Sequence, residues 1–192
     1  MLDTRPAPRD LRGAHRTVQP TGEERTFGAD ELIVSKTDPR GVITYANDVF
    51  LRVSAYEYGD VIGQPHNLIR HPAMPKAVFQ LLWDTLADGR EIFAYINNLA
   101  ADGAHYWVLA HVTPSYARGG SVTGYHSNRR RPSPGAIAQV TPLYDRLLAE
   151  EKRHPNGRAA VEASSRLLGE LVAEQADSYE TFIWSIIGRE EH

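Results

Sequence analysis

Apolar positions along the chain change period several times, and each change marks an element. Residues 32–37 and 42–46 are short runs of β-type residues, joined by Asp38-Pro39-Arg40-Gly41. Pro at the second turn position and Gly at the fourth suit a tight turn between antiparallel strands. Asn47 and Asp48 then offer a helix cap ahead of an apolar run over 49–54. A second short helix is expected around 57–62, ending at Gly63. From Pro75 onward, Ala77, Val78, Leu81, Leu82 and Leu86 follow helical spacing, with Phe79 and Trp83 on a neighbouring stripe. Asp88-Gly89 stops that helix. Strands follow over 92–99, 105–115 and 122–127, with turns at Ala101-Asp102-Gly103 and Arg118-Gly119-Gly120. This order predicts an α+β domain: a five-stranded antiparallel sheet with short helices packed across one face.

The flanks read differently. Residues 1–28 hold few apolar positions and no clear period, so a flexible or loosely docked N-terminal arm is expected there. The compact domain is assigned to 29–131. Arg129 to Pro134 reads as a Pro/Arg linker, with Arg129-Arg130-Arg131 a solvated basic run. Residues 132–192 form a C-terminal helical extension, with helices expected over 135–152 and 157–188. In the second, Val161, Ser165, Leu168, Val172, Gln175, Tyr179, Phe182 and Ile186 make a near-heptad seam. A helix of that length needs a partner surface. An antiparallel helical hairpin, a dimer seam and docking on the sheet would each provide one.

Composition removes whole classes of chemistry. The 192 residues include no cysteine, which excludes disulfides, thiolate metal sites, Cys nucleophiles and cysteinyl photoadducts. A net charge of -3 gives no reason to expect nucleic acid as a partner. No apolar run is long enough for a membrane span, and no secretory h-region opens the chain, so a cytoplasmic protein is expected. No nucleophile elbow, Gly-rich phosphate loop or zinc-type His spacing appears, and no enzyme activity is expected.

The segment 63–75 carries the most chemistry, with His66, Arg70 and His71 among three prolines. Proline removes a donor and fixes φ, so this is a stiff, basic, imidazole-bearing loop. Such a loop suits a wall for an anionic or aromatic ligand; an ordinary surface turn has the same composition. Around it stand Ile43-Thr44-Tyr45-Ala46-Asn47-Asp48, Ile62-Gly63-Gln64-Pro65-His66-Asn67, Arg70-His71-Pro72, Met74-Pro75, and Asp102-Gly103 leading into His105-Tyr106-Trp107-Val108. Val112-Thr113-Pro114 and Gly124-Tyr125 complete the set.

With these strings, residues from about 31 to 131 resemble a PAS domain, in the branch found in bacterial aerotaxis (energy-taxis) receptors. The resemblance implies a PAS fold whose pocket, between sheet and helices, holds FAD as a redox reporter. Aligned with the family's pocket positions are Asn47, His66, Arg70, His71, Phe79, Trp83, Asn98 and Tyr106. Two positions depart from the pattern: Ile92 stands for a pocket Trp, and Ala73 for an Asp. Haem held through His66 or His71 is the rival cofactor, and a ligand-free interaction module the rival function. The implied partners are a second copy through the C-terminal helices (a homo-oligomer), or a chemoreceptor or histidine kinase. His111 is expected to face solvent or pack, and His126 to line the cavity or face solvent.

Overall fold

A computed structural model describes residues 18–190 of the protein. β1 (Ile33–Thr37) and β2 (Ile43–Ala46) form the first hairpin, with an irregular register between Lys36 and Thr37. Its turn is tied by Asp38, whose Oδ1 accepts from the amides of Arg40 at 2.8 Å and Val42 at 3.0 Å. Gly41 adopts φ 79°, where a side chain would be strained and a Cβ would press on Trp83. The helices α1 (Asp48–Ser54) and α2 (Tyr58–Val61), a 3-10 turn (His66–Ile69) and α3 (Lys76–Ala87) come next. β3 (Ile92–Leu99), β4 (His105–Tyr116) and β5 (Val122–Arg130) complete the sheet.

The five strands lie in the order β2-β1-β5-β4-β3, every pairing antiparallel. The α+β reading holds: a five-stranded antiparallel sheet with short helices on one face. Strand alternation sorts its two surfaces. On β3 and β4, Ile96, Asn98, Ala110 and Val112 face α3 across a cleft. Tyr95, Phe93 and Trp107 face the other way and meet the C-terminal helices. β3 is covered on both sides, so it is buried almost without interruption rather than alternately.

The C-terminal extension comprises α4 (Pro134–Lys152), α5 (Gly157–Ala173) and α6 (Tyr179–Glu190). A single helix over 157–188 is corrected to two. Ser178 caps the second, its Oγ accepting from the Thr181 amide at 3.1 Å. The physical reason is that α5 packs on α3 while α6 packs on β3 and α4, and one straight helix cannot serve both surfaces. Two of the three ways to satisfy the seam occur together: α5 packs on α4 as a helical hairpin, and α5 and α6 dock on the chain's own domain through α3 and β3. Leu168, Val172, Phe182 and Ile186 all join the common core. Tyr144 of α4 fastens the extension by donating to the Tyr95 carbonyl at 2.6 Å.

Of the N-terminal arm, residues 1–17 lie outside the described residues. Residues 18–28 run along the start of β4. The Thr21 amide donates to the Gly103 carbonyl at 2.9 Å, and the His105 amide to the Glu23 carbonyl at 2.8 Å. Arg25 reaches the Val53 carbonyl at 2.9 Å and the Asp102 carboxylate, and Phe27 is buried. Low apolar content concealed this docking because main-chain hydrogen bonds carry most of it.

Candidate functional site

A cleft of about 340 Å3 opens between α3 and the inner face of the sheet. That is near the small end of the range for ligand pockets. One side of α3 supplies Phe79, Leu82, Trp83 and Leu86; β3 and β4 supply Ile96, Asn98, Ala110 and Val112. Ser35, Thr37, Tyr125, Ser127 and Arg129 come from β1 and β5, and His66 and Arg70 from the stiff loop. Trp83 is 40 % exposed and meets Tyr125 edge to face, with ring centroids 5.5 Å apart, beside Gly41.

The polar side of the cleft is a set of unanswered groups. Arg70 Nη2, Asn98 Nδ2, Arg129 Nη1, Ser127 Oγ and Thr37 Oγ1 are all buried without a hydrogen-bond partner. Native proteins pair the large majority of such atoms, so five around one cavity mark it as a place where water or a guest pairs them. Among the described residues no carboxylate lines the cleft, although three guanidinium groups do: Arg70, Arg129 and, already paired with Asp38, Arg40. Arg70 sits over Phe79, with Cζ 3.6 Å from the ring centroid. Burial lowers its pKa, and Glu151 opposes that shift.

Arg129 is 3 % exposed and donates through Nη2 to Ser35 Oγ at 2.9 Å and His66 Nε2 at 2.5 Å. Burial brings Arg129 down to about 10, so it remains charged at neutral pH. His66 is pushed down to about 3, by burial first and the Arg129 charge second. It is therefore neutral, with Nε2 as the acceptor.

A family profile described as the PAS fold matches residues 43–128. Over 129 residues, 67% of this chain, the sequence is 42% identical to the aerotaxis receptor of Escherichia coli K12, of which that stretch is 25%. The chain carries a PAS domain of the aerotaxis-receptor type. A nitrogen fixation regulatory protein of Klebsiella pneumoniae is 31% identical over 99 residues, 52% of this chain and 20% of that protein. The chain thus spans a quarter or less of these relatives' own lengths. Among solved structures, the dark state of the blue-light photoreceptor Aureochrome1 LOV superposes with a TM-score of 0.52. It is 20% identical, covers 59% of this chain and 84% of that one, and bears on the fold alone.

Of the eight residues expected around the PAS pocket, five line the cleft: His66, Arg70, Phe79, Trp83 and Asn98. Three do not line it, and their side chains are placed otherwise. Asn47 is a clamp between α1 and β1. Its Oδ1 accepts from the amides of Phe50 at 2.9 Å and Val34 at 3.0 Å, and its Nδ2 donates to the Leu32 carbonyl at 2.8 Å. His71 turns out of the cleft, its Nδ1 accepting from the Ala73 amide at 3.1 Å and its ring meeting His105 at 5.9 Å. Tyr106 pairs with Asn98 across the β3–β4 ladder but sits beyond the end of the cleft, fully inside the packed core.

The residues missed are Ser35, Thr37, Tyr125, Ser127 and Arg129. The linker reading of Arg129 is overturned because β5 continues to Arg130. Alternation from Tyr125 through Ser127 carries Arg129 onto the inner face, and that period-two signal was present in the sequence. His126, of opposite parity, is turned away from the cleft. His111 packs, stacked 4.1 Å from Phe93 and held by Glu91 at 2.7 Å on the outer face.

Proposed function

We propose that the PAS cleft binds a flavin, FAD, and that the protein senses redox or oxygen status through it. The observation that carries this reading is the donor-rich, carboxylate-free lining, set against the flat surfaces of Phe79, Trp83 and Tyr125. An isoalloxazine offers a planar apolar body with one edge of carbonyl and ring-nitrogen acceptors, which matches that lining. The likeness to an aerotaxis receptor supports the same choice. When bound, the flavin would supply reversible electron uptake.

The protein's own part follows from its side chains. Asn98 presents an amide that donates and accepts, so it can re-pair when the ring's charge or protonation changes. Arg70 and Arg129 supply positive charge toward added electron density, and neutral His66 holds the Arg129 guanidinium in place. Leu82, Leu86, Ile96 and Val112 keep water from the apolar side. The haem reading loses support here, because His66 Nε2 already accepts from Arg129 and His71 lies outside the cleft.

The protein acts as a sensor, not an enzyme, reporting to a chemoreceptor or a histidine kinase in the cytoplasm. Among the described residues no helix is long and apolar enough to cross a membrane. A homodimer through the C-terminal helices would use their exposed faces, where Trp184 stands, since the buried faces are committed to the core.

The visible absorption spectrum of freshly purified protein tests the proposal. A flavin double band that disappears in Trp83→Ala and Asn98→Ala is the expected result. A haem Soret band, or full flavin occupancy in both variants, would overturn it. A colourless wild type that no added FAD colours would favour the ligand-free interaction module.

A further inference from the structure

α3, which forms one wall of the cleft, begins after Pro75, and Pro75 has no side-chain acceptor to cap it. The first amides of a helix need an outside acceptor. Here it comes from 75 residues away: Oε1 of Glu151, in the last turn of α4, accepts from the Lys76 amide at 2.6 Å and the Ala77 amide at 3.3 Å. The same oxygen accepts from Ser164 Oγ of α5 at 3.1 Å. One carboxylate oxygen thus joins the cleft wall to both helices of the extension that flank it. Glu151 is also the carboxylate whose field reaches Arg70, in a cleft whose own lining has none. Arg70 Nη2 remains unpartnered, a few residues before the helix that Glu151 caps.

We infer that Glu151 is a latch that holds α4 and α5 against the cleft wall, its grip set by the charge that Arg70 sees in the cleft. This rests on the reading of the cleft as a binding site and adds how occupancy leaves it. Without a ligand, Glu151 is the carboxylate whose charge acts on Arg70, at longer range than the Phe79 ring that the guanidinium touches, and attraction draws the end of α4 toward the loop. Negative charge arriving beside Arg70 competes for that cation, and the α3–α4–α5 junction loosens. Ser164 and the two amides are the neutral part of the latch; Arg70 is its variable part. Glu150, the adjacent carboxylate, is already committed to His154 and Arg153 on the outer side of α4.

Hydrogen–deuterium exchange on the full chain without added ligand tests this directly. In Glu151→Ala the amides of Lys76 and Ala77, and those of α5 near Ser164, should exchange about fivefold faster, as for a lost helix cap. Ser164→Ala, a milder variant, should loosen α5 alone. A purely structural cap would respond in the same way, so the deciding readout is coupling to Arg70. Arg70→Gln should change exchange at this junction in the native background and have no effect in Glu151→Gln. Independent, additive effects of the two substitutions would overturn the latch, as would unchanged exchange in Glu151→Ala. Because the cycle is read on ligand-free protein, a colourless preparation would count against the flavin and leave this result standing. Where FAD binds, dithionite-reduced FAD should loosen the junction more than oxidised FAD, and equal exchange in the two states would overturn the charge dependence.

Discussion

Arg129→Met is expected to make the ligand-free protein more stable while weakening its hold on the ligand. The guanidinium is buried beside a neutral imidazole and a hydroxyl, and it has no carboxylate counter-charge. Its pKa, brought down from the ordinary guanidinium range to about 10, measures the penalty on the charged form as about 3 kcal/mol at neutral pH. Removing the side chain also removes its hydrogen bonds. Ser35 Oγ and His66 Nε2 lie 3.2 Å apart and can then pair with each other, so the net loss is about 1 kcal/mol. The balance is a gain of about 2 kcal/mol, or roughly 4–8 °C in Tm for a chain of this size. For a base whose folded pKa is depressed, the penalty is full below about 10 and fades as pH rises beyond it toward the ordinary guanidinium range. The gain should therefore be complete at pH 7. Urea denaturation of both proteins without FAD, followed by titration with FAD, is the assay. A ligand-free Arg129→Met protein less stable than wild type by more than about 1 kcal/mol would show that the cleft is not charged at the expense of stability.

His66 falls from 6.5 to about 3 in the folded protein, so its contribution to stability is intact above pH 6.5 and is lost progressively as pH drops toward 3. The full loss is about 5 kcal/mol; His66→Gln should flatten the acid limb of the stability curve across that window, and an unchanged limb would contradict the buried neutral imidazole. Asn47→Ala removes a helix cap and two ties to β1 and should lower stability by about 2–3 kcal/mol in denaturant. Flavin content of the protein that remains folded should not change, and loss of flavin from stably folded protein would return Asn47 to the pocket. Tyr144→Phe deletes the buried bond to the Tyr95 carbonyl, with an expected loss of about 1 kcal/mol and faster amide exchange in α4, read by urea melts and mass spectrometry.

What could be read from the chain depended on whether the signal was local. The 38–41 turn, the first two strands after α3 and the stop at Asp88-Gly89 are written in neighbouring residues, and each appears within a residue or two of its expected place, whereas β5 runs three residues past its expected end. The helix break at 175–178 is different, because it arises from two surfaces on which one apolar stripe must be divided. Site residues follow the same division. Phe79 and Trp83 share a helical stripe facing the cleft, so spacing and family likeness agree on them. Asn47 is suggested by both as well, as a cap and as a pocket residue, and the structure shows the cap, with the side chain outside the cleft lining. Arg129 was misread because a basic tripeptide beside a proline has the composition of a linker. Its parity with Tyr125 and Ser127 was the overlooked clue, and only the extended pairing of β5 with β1 and β4 gives that parity force.

β3 is where the two halves of this molecule meet. As an edge strand it has β4 on one side and no strand on the other, so its position depends on what packs against its faces. On the inner face Asn98 and Ile96 meet the cleft; on the outer face the Tyr95 carbonyl holds α4 and Phe93 supports Trp184 of α6 at 4.9 Å. Alternate residues of one strand therefore contact the cleft and the C-terminal helices. A change in the pairing of Asn98 bears on the same short stretch of backbone that anchors Tyr144, with no intervening layer to absorb it. Signal transfer still requires that the two ligand states differ in their contacts with Asn98 or Arg70. The fold supplies two short routes for such a difference, one through β3 to α4 and α6, and one through α3 and Glu151 to α4 and α5. Both converge on α4, which makes the packing of that helix the quantity in which a change inside the cleft should register first.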